Sequence, residues 1–436
     1  MFLKSIEISN VRSIDNIELD FRLDGNKVRQ RTVMLGENGC GKSTALRAIA
    51  LLLAGSDALT ELLREPERWV RNGRKQARIA ATLGTQRDGD RAIELLLEPG
   101  WTLRQTLKEN EAGLAALDQA LAHTPRNYFA MGYGVTRRPA MDSKEFSQVS
   151  ERGFAHPRSR AFATMFSPEA SLVSLEQWAM DLDYREGTAA TAVLRAAMSK
   201  LLPGMTFHAI DRKRRELLFK TVDGMVPFRQ LSDGYQNIAN WCGDMLYRIT
   251  TTFEDYKSPL KTRGVLLIDE LDLHLHPVWQ RRLMDFLQSA LPNLQIIATS
   301  HSPIIAQQLR EGELYVVERP TPRKGSCVRP VAGDPSQLTL TQLLSPMFGI
   351  ESPESLRVQT LREKSRIGQL SDQGRSELAQ LAPLDELPKA MRQQVKAAEE
   401  LKLALAQASG NALPKLDTAQ LRKRIGEQIK LSGRNA

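Results

Sequence analysis

Hydrophobic and polar positions divide the chain into strand-like and helix-like stretches. Residues 2–11 (FLKSIEISNV) alternate as a half-buried strand does, and residues 17–23 (IELDFRL) repeat the pattern beyond a turn at Arg12, predicting an antiparallel pair. The apolar run Val33-Met34-Leu35 breaks into glycines and then a helical pattern, STALRAIALLLA. Residues 76–83 and 92–97 read as two more strands around the polar turn TQRDGDR. From about residue 102 to residue 202 helices and loops dominate, with KENEAGLAALDQALAHT and LEQWAMDLDYREGTAATAVLRAAMSKLL as the clearest segments. Between them, residues 126–138 (RNYFAMGYGVTRR) predict a core strand running into a glycine-rich loop. No sustained heptad appears, so no long coiled-coil arm is expected. Strands follow at 206–210 and 216–222, and Ser232 stands at the cap position of an amphipathic helix, GYQNIANWCGDMLYRITTTF. The run GVLLIDELDLHLHP and the strand LQIIAT come next, then a closing hairpin (residues 313–318 and 326–331) around the basic loop RPTPRKG, and a largely helical tail from residue 354.

Composition narrows the class. A chain of 436 residues suggests two or three domains. Its formal charge of +9 permits an acidic partner such as nucleic acid. Cys40, Cys242 and Cys327 are scattered, with no CxxC pair, which fits a reduced cytoplasmic setting. The N-terminus lacks the apolar core of a signal peptide, and no apolar run approaches the ~20 residues a membrane helix needs, so no membrane association is expected.

The glycine stretch carries the first chemistry. Gly36-Glu-Asn38-Gly39-Cys-Gly41-Lys42-Ser43 fits G-x-x-x-x-G-K-[ST] between a strand and a helix. Inward-turned backbone N–H groups and the positive helix start make a phosphate cradle; Lys42 would reach the β- and γ-phosphates and Ser43 would offer a hydroxyl to Mg²⁺. Downstream, four apolar residues form a buried strand that ends in Asp269-Glu270, at the carboxyl edge where α/β sheets place ligands. Asp269 would hold the Mg²⁺ shell and Glu270 would orient or deprotonate water. His301 follows the next strand, within reach of a γ-phosphate.

Other candidates are weaker. Asp181 and Asp183, two apart, do not share a helix face, so they are expected to be solvated rather than a metal pair. His274 and His276 alternate before Pro277 with no cysteine near, which suits packing and capping better than zinc. The hairpin tip Arg212-Lys213-Arg214-Arg215 suits phosphate contact with DNA or RNA, or is simply solvated.

The order of these parts resembles the ABC-type ATPases of the non-transporter branch, which includes SMC, RecF and OLD proteins. The likeness spans residues 1 to about 344, and the run Asp269 to Pro277 is similar to the OLD and RecF-like group. It implies an α/β ABC-ATPase head, a mixed sheet with a P-loop and an antiparallel β layer, with a helical insertion and a helical C-terminal region. The expected divisions are an N-lobe (1–101), the insertion (102–205), a C-lobe (206–345) and a docking, oligomerisation or capping region (346–436). By this resemblance Gly36, Asn38, Gly39, Gly41, Lys42, Ser43 and Thr44 bind ATP as Walker A. Leu231 to Gln236 is the signature, Asp269 and Glu270 are Walker B, Asp272 is the D-loop residue and His301 the switch histidine. Arg12 either points toward the nucleotide or is a solvated turn residue.

The mechanism so implied is a head-to-tail dimer or higher oligomer, in which ATP on one Walker A is capped by Ser232 and Gly234 of the other copy. Asp233 and Tyr235 depart from the transporter signature, and no Q-loop glutamine is assigned near residues 133–137. No Glu followed by a DxD-bearing strand appears in the tail, so no nuclease is expected on this chain. Compact heads of this kind resemble ATPase subunits of bacterial anti-phage modules such as Septu, PARIS and some retron systems, which control a separate effector. A RecF-like DNA repair clamp and a nucleotide-locked scaffold are the alternatives.

Overall fold

In a computed structural model, the structure describes residues 1–24, 27–84, 89–123, 128–139, 154–202, 204–253, 258–319, 324–350, 352 and 354–379. They fall into two units, Met1–Glu351 and Ser352–Ala436. In the second unit, the helices Leu356–Arg366 and Asp372–Ala379 are joined by an Arg357–Glu377 ion pair of 2.5 Å. The rest of the expected helical tail, from residue 380 onward, lies outside the described residues, as do residues 85–88 of the TQRDGDR turn and 320–323 of the RPTPRKG loop.

The first unit is organised on a ten-stranded sheet. Its members are β1 (Phe2–Ser9), β2 (Ile14–Asp20), β5 (Arg31–Leu35), β6 (Ala77–Gly84), β7 (Asp90–Leu97), β8 (Ala130–Tyr133), β12 (Gly264–Ile268), β13 (Leu294–Thr299), β14 (Leu314–Glu318) and β15 (Ser326–Pro330). Two short strands, β3 (Arg22–Leu23) and β4 (Lys27–Val28), pair with each other, while β9 (Thr206–Asp211), β10 (Glu216–Thr221) and β11 (Gly224–Pro227) form a separate antiparallel sheet. The large sheet runs β7-β6-β1-β2-β15-β14-β5-β13-β12-β8. Its first four strands are antiparallel, the expected β layer, whereas β14, β5, β13, β12 and β8 are mutually parallel.

The expected hairpin β14–β15 forms, and it lies in the middle of the sheet, with β15 beside β2 and β14 beside β5. It thereby welds the antiparallel layer to the parallel part. The segment 102–205 contributes the helices Leu103–His123, Pro157–Phe166 and Leu175–Leu201, and also β8, which lies parallel to β12 in the main sheet. The last helix leaves helical geometry at Gly187 (φ 74°, ψ −157°).

Period-2 alternation explains the layering. Leu267 and Ile297 face one apolar core with Leu46 and Ile49 of the helix Lys42–Ala54, while Leu266 and Ile296 face a second with Trp241 and Leu287. A buried carboxylate ties the second layer together. Asp244, on the helix Asp233–Thr252, accepts from Tyr133 Oη (2.8 Å), the Val173 N–H (2.9 Å) and Arg248 Nε (2.6 Å). A buried charge needs such full satisfaction to be tolerated.

Candidate nucleotide site

Parallel packing puts the carboxyl ends of β5, β13 and β12 side by side. All three strands are buried along their whole length, so only the chain leaving each end is free to carry polar chemistry. From β5 comes the glycine loop, from β12 Asp269 and Glu270, from β13 Ser300 and His301. The sequence-expected centre is therefore assembled from three segments spread over some 270 residues, counted from Gly36 to His301.

The glycine loop is shaped by backbone demands. At Gly36 (φ 149°) a Cβ would lie 2.2 Å from the Val317 carbonyl oxygen, and at Gly41 (φ 103°) it would lie 2.9 Å from Ser13 Oγ. Side chains are excluded on both counts, leaving main-chain groups to line the turn. Lys42 Nζ donates to the carbonyls of Gly36 (2.8 Å) and Glu37 (2.9 Å). Burial holds its ammonium below the ordinary lysine value, against the opposing pull of Cys40, Asp269 and Glu270. The helix Lys42–Ala54 has no acidic residue in its first turn and no side-chain cap at Gly41, so its N–H groups face the loop without a competing carboxylate.

Around Asp269 and Glu270 the hydrogen bonds are dense. Thr299 Oγ1 donates to Asp269 Oδ1 (2.6 Å) and accepts from the Glu270 N–H (2.7 Å). Glu270 has φ 48°, the left-handed region that a glutamate seldom occupies. Asp272 Oδ1 is buried with no hydrogen-bond partner, an unmet acceptor at the same site. His301 is partly buried; burial, then the Lys42 ammonium, hold its imidazole below the ordinary value of 6.5, so it is neutral at pH 7. Ser43, Asp269 and the unmet Asp272 oxygen would offer hard oxygen donors, the chemistry a Mg²⁺ site requires.

The remaining candidates divide. Ser232 does occupy the N-cap position of the helix Asp233–Thr252, but its hydroxyl makes no capping hydrogen bond and is exposed, unlike the expectation. Gly234 approaches the His274 carbonyl so closely that a Cβ would meet it at 2.7 Å, and Tyr235 meets Trp279 edge-on at 4.7 Å. These contacts lie beyond β12, two strands from β5. His276 caps the helix Pro277–Ala290 by accepting from the Val278 N–H. Asn38, Gly39 and Thr44 belong to the same loop and helix start.

Arg12 (φ 49°) lies with its guanidinium 4.0 Å from the centre of the Trp69 ring. Burial, and then Arg47 of the P-loop helix, lower its basicity. It lines a cavity of about 390 Å³ with Ser13, Arg68, Arg71, Arg319 and Lys324. Arg319 also donates to the Gly39 carbonyl (3.4 Å). This basic pocket is not legible in the sequence, because its members come from three separate stretches, residues 12–13, residues 68–72 and the two ends of the RPTPRKG loop. The sequence reading took Asp183 as solvated. Asp183 instead holds the exposed Arg212 at 2.6 and 3.1 Å, which occupies one of the four basic side chains at the 212–215 tip.

Residues 70–306 match the family model described as "AAA domain, putative AbiEii toxin, Type IV TA system", more than half of the chain. The chain belongs to this AAA-domain family. Residues 5–111 match a second AAA-domain model. Similar curated proteins include a Septu protein PtuA of Bacillus mycoides (strain KBAB4), 26% identical over 317 residues that make up 72% of this chain and 40% of that protein. Another is the Retron Ec83 probable ATPase of Escherichia coli, 23% identical over 389 residues, 72% of this chain and 71% of that one. The match thus takes in less than half of the PtuA length. A solved SMC head bound to the C-winged helix domain of ScpA superimposes with a TM-score of 0.42 at 14% identity, covering 76% of this chain and 98% of that one.

Proposed function

We propose that this chain is an ATP-hydrolysing switch in which two copies close head-to-tail around ATP, and whose opening and closing control a separate effector in anti-phage defence. The observation that carries the reading is the alignment of the glycine loop, Asp269-Glu270 and His301 at the ends of three adjacent parallel strands. The roles follow from chemistry. Backbone N–H groups of Gly36 to Ser43 and the Lys42 ammonium bind the phosphates; Glu270 takes the proton of the attacking water; neutral His301 orients the γ-phosphate. Ser43 and Asp269 would hold Mg²⁺, which when bound neutralises phosphate charge. Ser232 and Gly234 offer an exposed hydroxyl and a helix start that bind the partner copy's nucleotide. The likeness to a Septu protein and to a retron probable ATPase supports the defence role.

Phosphate release by the purified protein tests the catalytic part. Wild type is expected to turn over Mg-ATP, Lys42→Ala to lose nucleotide binding, and Glu270→Gln to bind without turnover; unchanged release by Glu270→Gln would refute the assignment.

A second reading, a RecF-like clamp on DNA, draws on the basic pocket beside the P-loop rather than on residues 212–215. Duplex binding that weakens steeply with salt and falls in Arg319→Gln would favour it; salt-independent or absent binding would count against it.

A further inference from the structure

We infer that Arg137 is a positioning residue for ATP hydrolysis, pinning the end of β12 so that the Glu270 carboxylate is held against the γ-phosphate. The inference rests on the hydrolytic role given to Glu270 above. Arg137 is only 5% exposed, yet its described hydrogen bonds all go to backbone carbonyls. Nη2 donates to the Asp269 carbonyl and to the Glu270 carbonyl (2.9 Å), and Nε to the Gly134 carbonyl (2.9 Å). A planar guanidinium can bridge such neighbouring acceptors in one plane; a lysine ammonium cannot.

What it bridges is the strained point of the site. Glu270 sits at φ 48°, a conformation that persists only if its surroundings over-determine it. Its N–H is held by Thr299 and its carbonyl by Arg137, so the residue is clamped on both sides. The other end of the clamp is rigid as well. Gly134 packs so tightly that a Cβ would lie 2.1 Å from the Thr164 carbonyl oxygen, and the Arg138 carbonyl accepts from the Leu172 N–H at 2.8 Å. Burial brings the Arg137 guanidinium down to about 10, while Asp269, Glu270 and Asp272 pull the other way. This loop is the one where no Q-loop glutamine could be assigned, and a buried arginine occupies it.

The test compares wild type, Glu270→Gln, Arg137→Lys and Arg137→Ala for binding of a fluorescent ATP analogue with Mg²⁺ and for phosphate release. Misplacement of a catalytic group by about 1 Å costs up to ~100-fold. Arg137→Ala is expected to lose about that factor in kcat with nucleotide Kd within roughly threefold. Arg137→Lys, reaching one carbonyl, should fall between, and added guanidinium ion should restore part of the Arg137→Ala rate. Unchanged kcat in both variants, or affinity falling in step with kcat, would overturn the inference. If Arg137→Ala does not fold, Arg137→Lys decides by the same split between kcat and Kd. A wild type that binds ATP without turnover, matched by Glu270→Gln, would overturn the hydrolytic reading itself. An active wild type, a dead Glu270→Gln and a fully active Arg137→Lys would sink only the role of Arg137.

Discussion

Replacing Thr299 by valine removes one hydroxyl from a fully buried position and changes almost nothing in shape. That hydroxyl serves two groups, the Asp269 carboxylate and the Glu270 N–H. Each buried group left without its partner costs roughly 1–3 kcal/mol, so the pair loses about 2–6 kcal/mol. For a unit of this size that corresponds to a drop in Tm of roughly 3–8 °C. Function should suffer separately, because Glu270 in its left-handed conformation loses the contact on its amide side. Turnover should fall by about 10- to 100-fold with nucleotide affinity nearly kept. Thermal melts and phosphate release measure the two effects, with Thr299→Ser as the control, since it keeps the hydroxyl and loses only a methyl worth about 1 kcal/mol. A valine variant that melts within about 2 °C of wild type and turns over normally would refute the reasoning, because it would mean that neither hydrogen bond matters.

Further outcomes follow from the same contacts. His301 is depressed below 6.5, so the acid limb of kcat/KM that it controls should fall below about pH 6.5 and vanish in His301→Gln; a limb centred above pH 7 would contradict its neutral role. The same depression makes its contribution to folding complete above about pH 6.5 and lost as pH falls through the folded-state value. Asp244→Ala should destabilise by about 3 kcal/mol, because Arg248 and Tyr133 lose their buried acceptor; a denaturant midpoint equal to wild type would show that the network is dispensable.

Much of the site could be read from the sequence because its signals are local. The offset of Lys42 and Ser43 from three glycines, and the unbroken apolar run before Asp269, each depend on a few neighbouring residues and on burial of both strand faces. Long-range placement was not legible in this way. Nothing near residues 314–330 says that β14 and β15 enter the middle of the sheet, since that is decided by pairing with strands some 300 residues earlier. The two arginines after the glycine-rich loop looked alike, and only packing distinguishes Arg137, drawn under the end of β12. Asp183 pairs with an arginine 29 positions away, across a chain reversal that no periodicity records. Ser232 shows the reverse case: the capping position was legible, but not that its hydroxyl would be left exposed and uncommitted.

The mass of Glu270→Gln in solution, with and without Mg-ATP, tests the switch most directly. The account predicts a doubling, or a higher multiple, that requires ATP and disappears when Ser232 and Gly234 are replaced by bulky residues. A protein that binds ATP yet keeps the same mass in both conditions would contradict it.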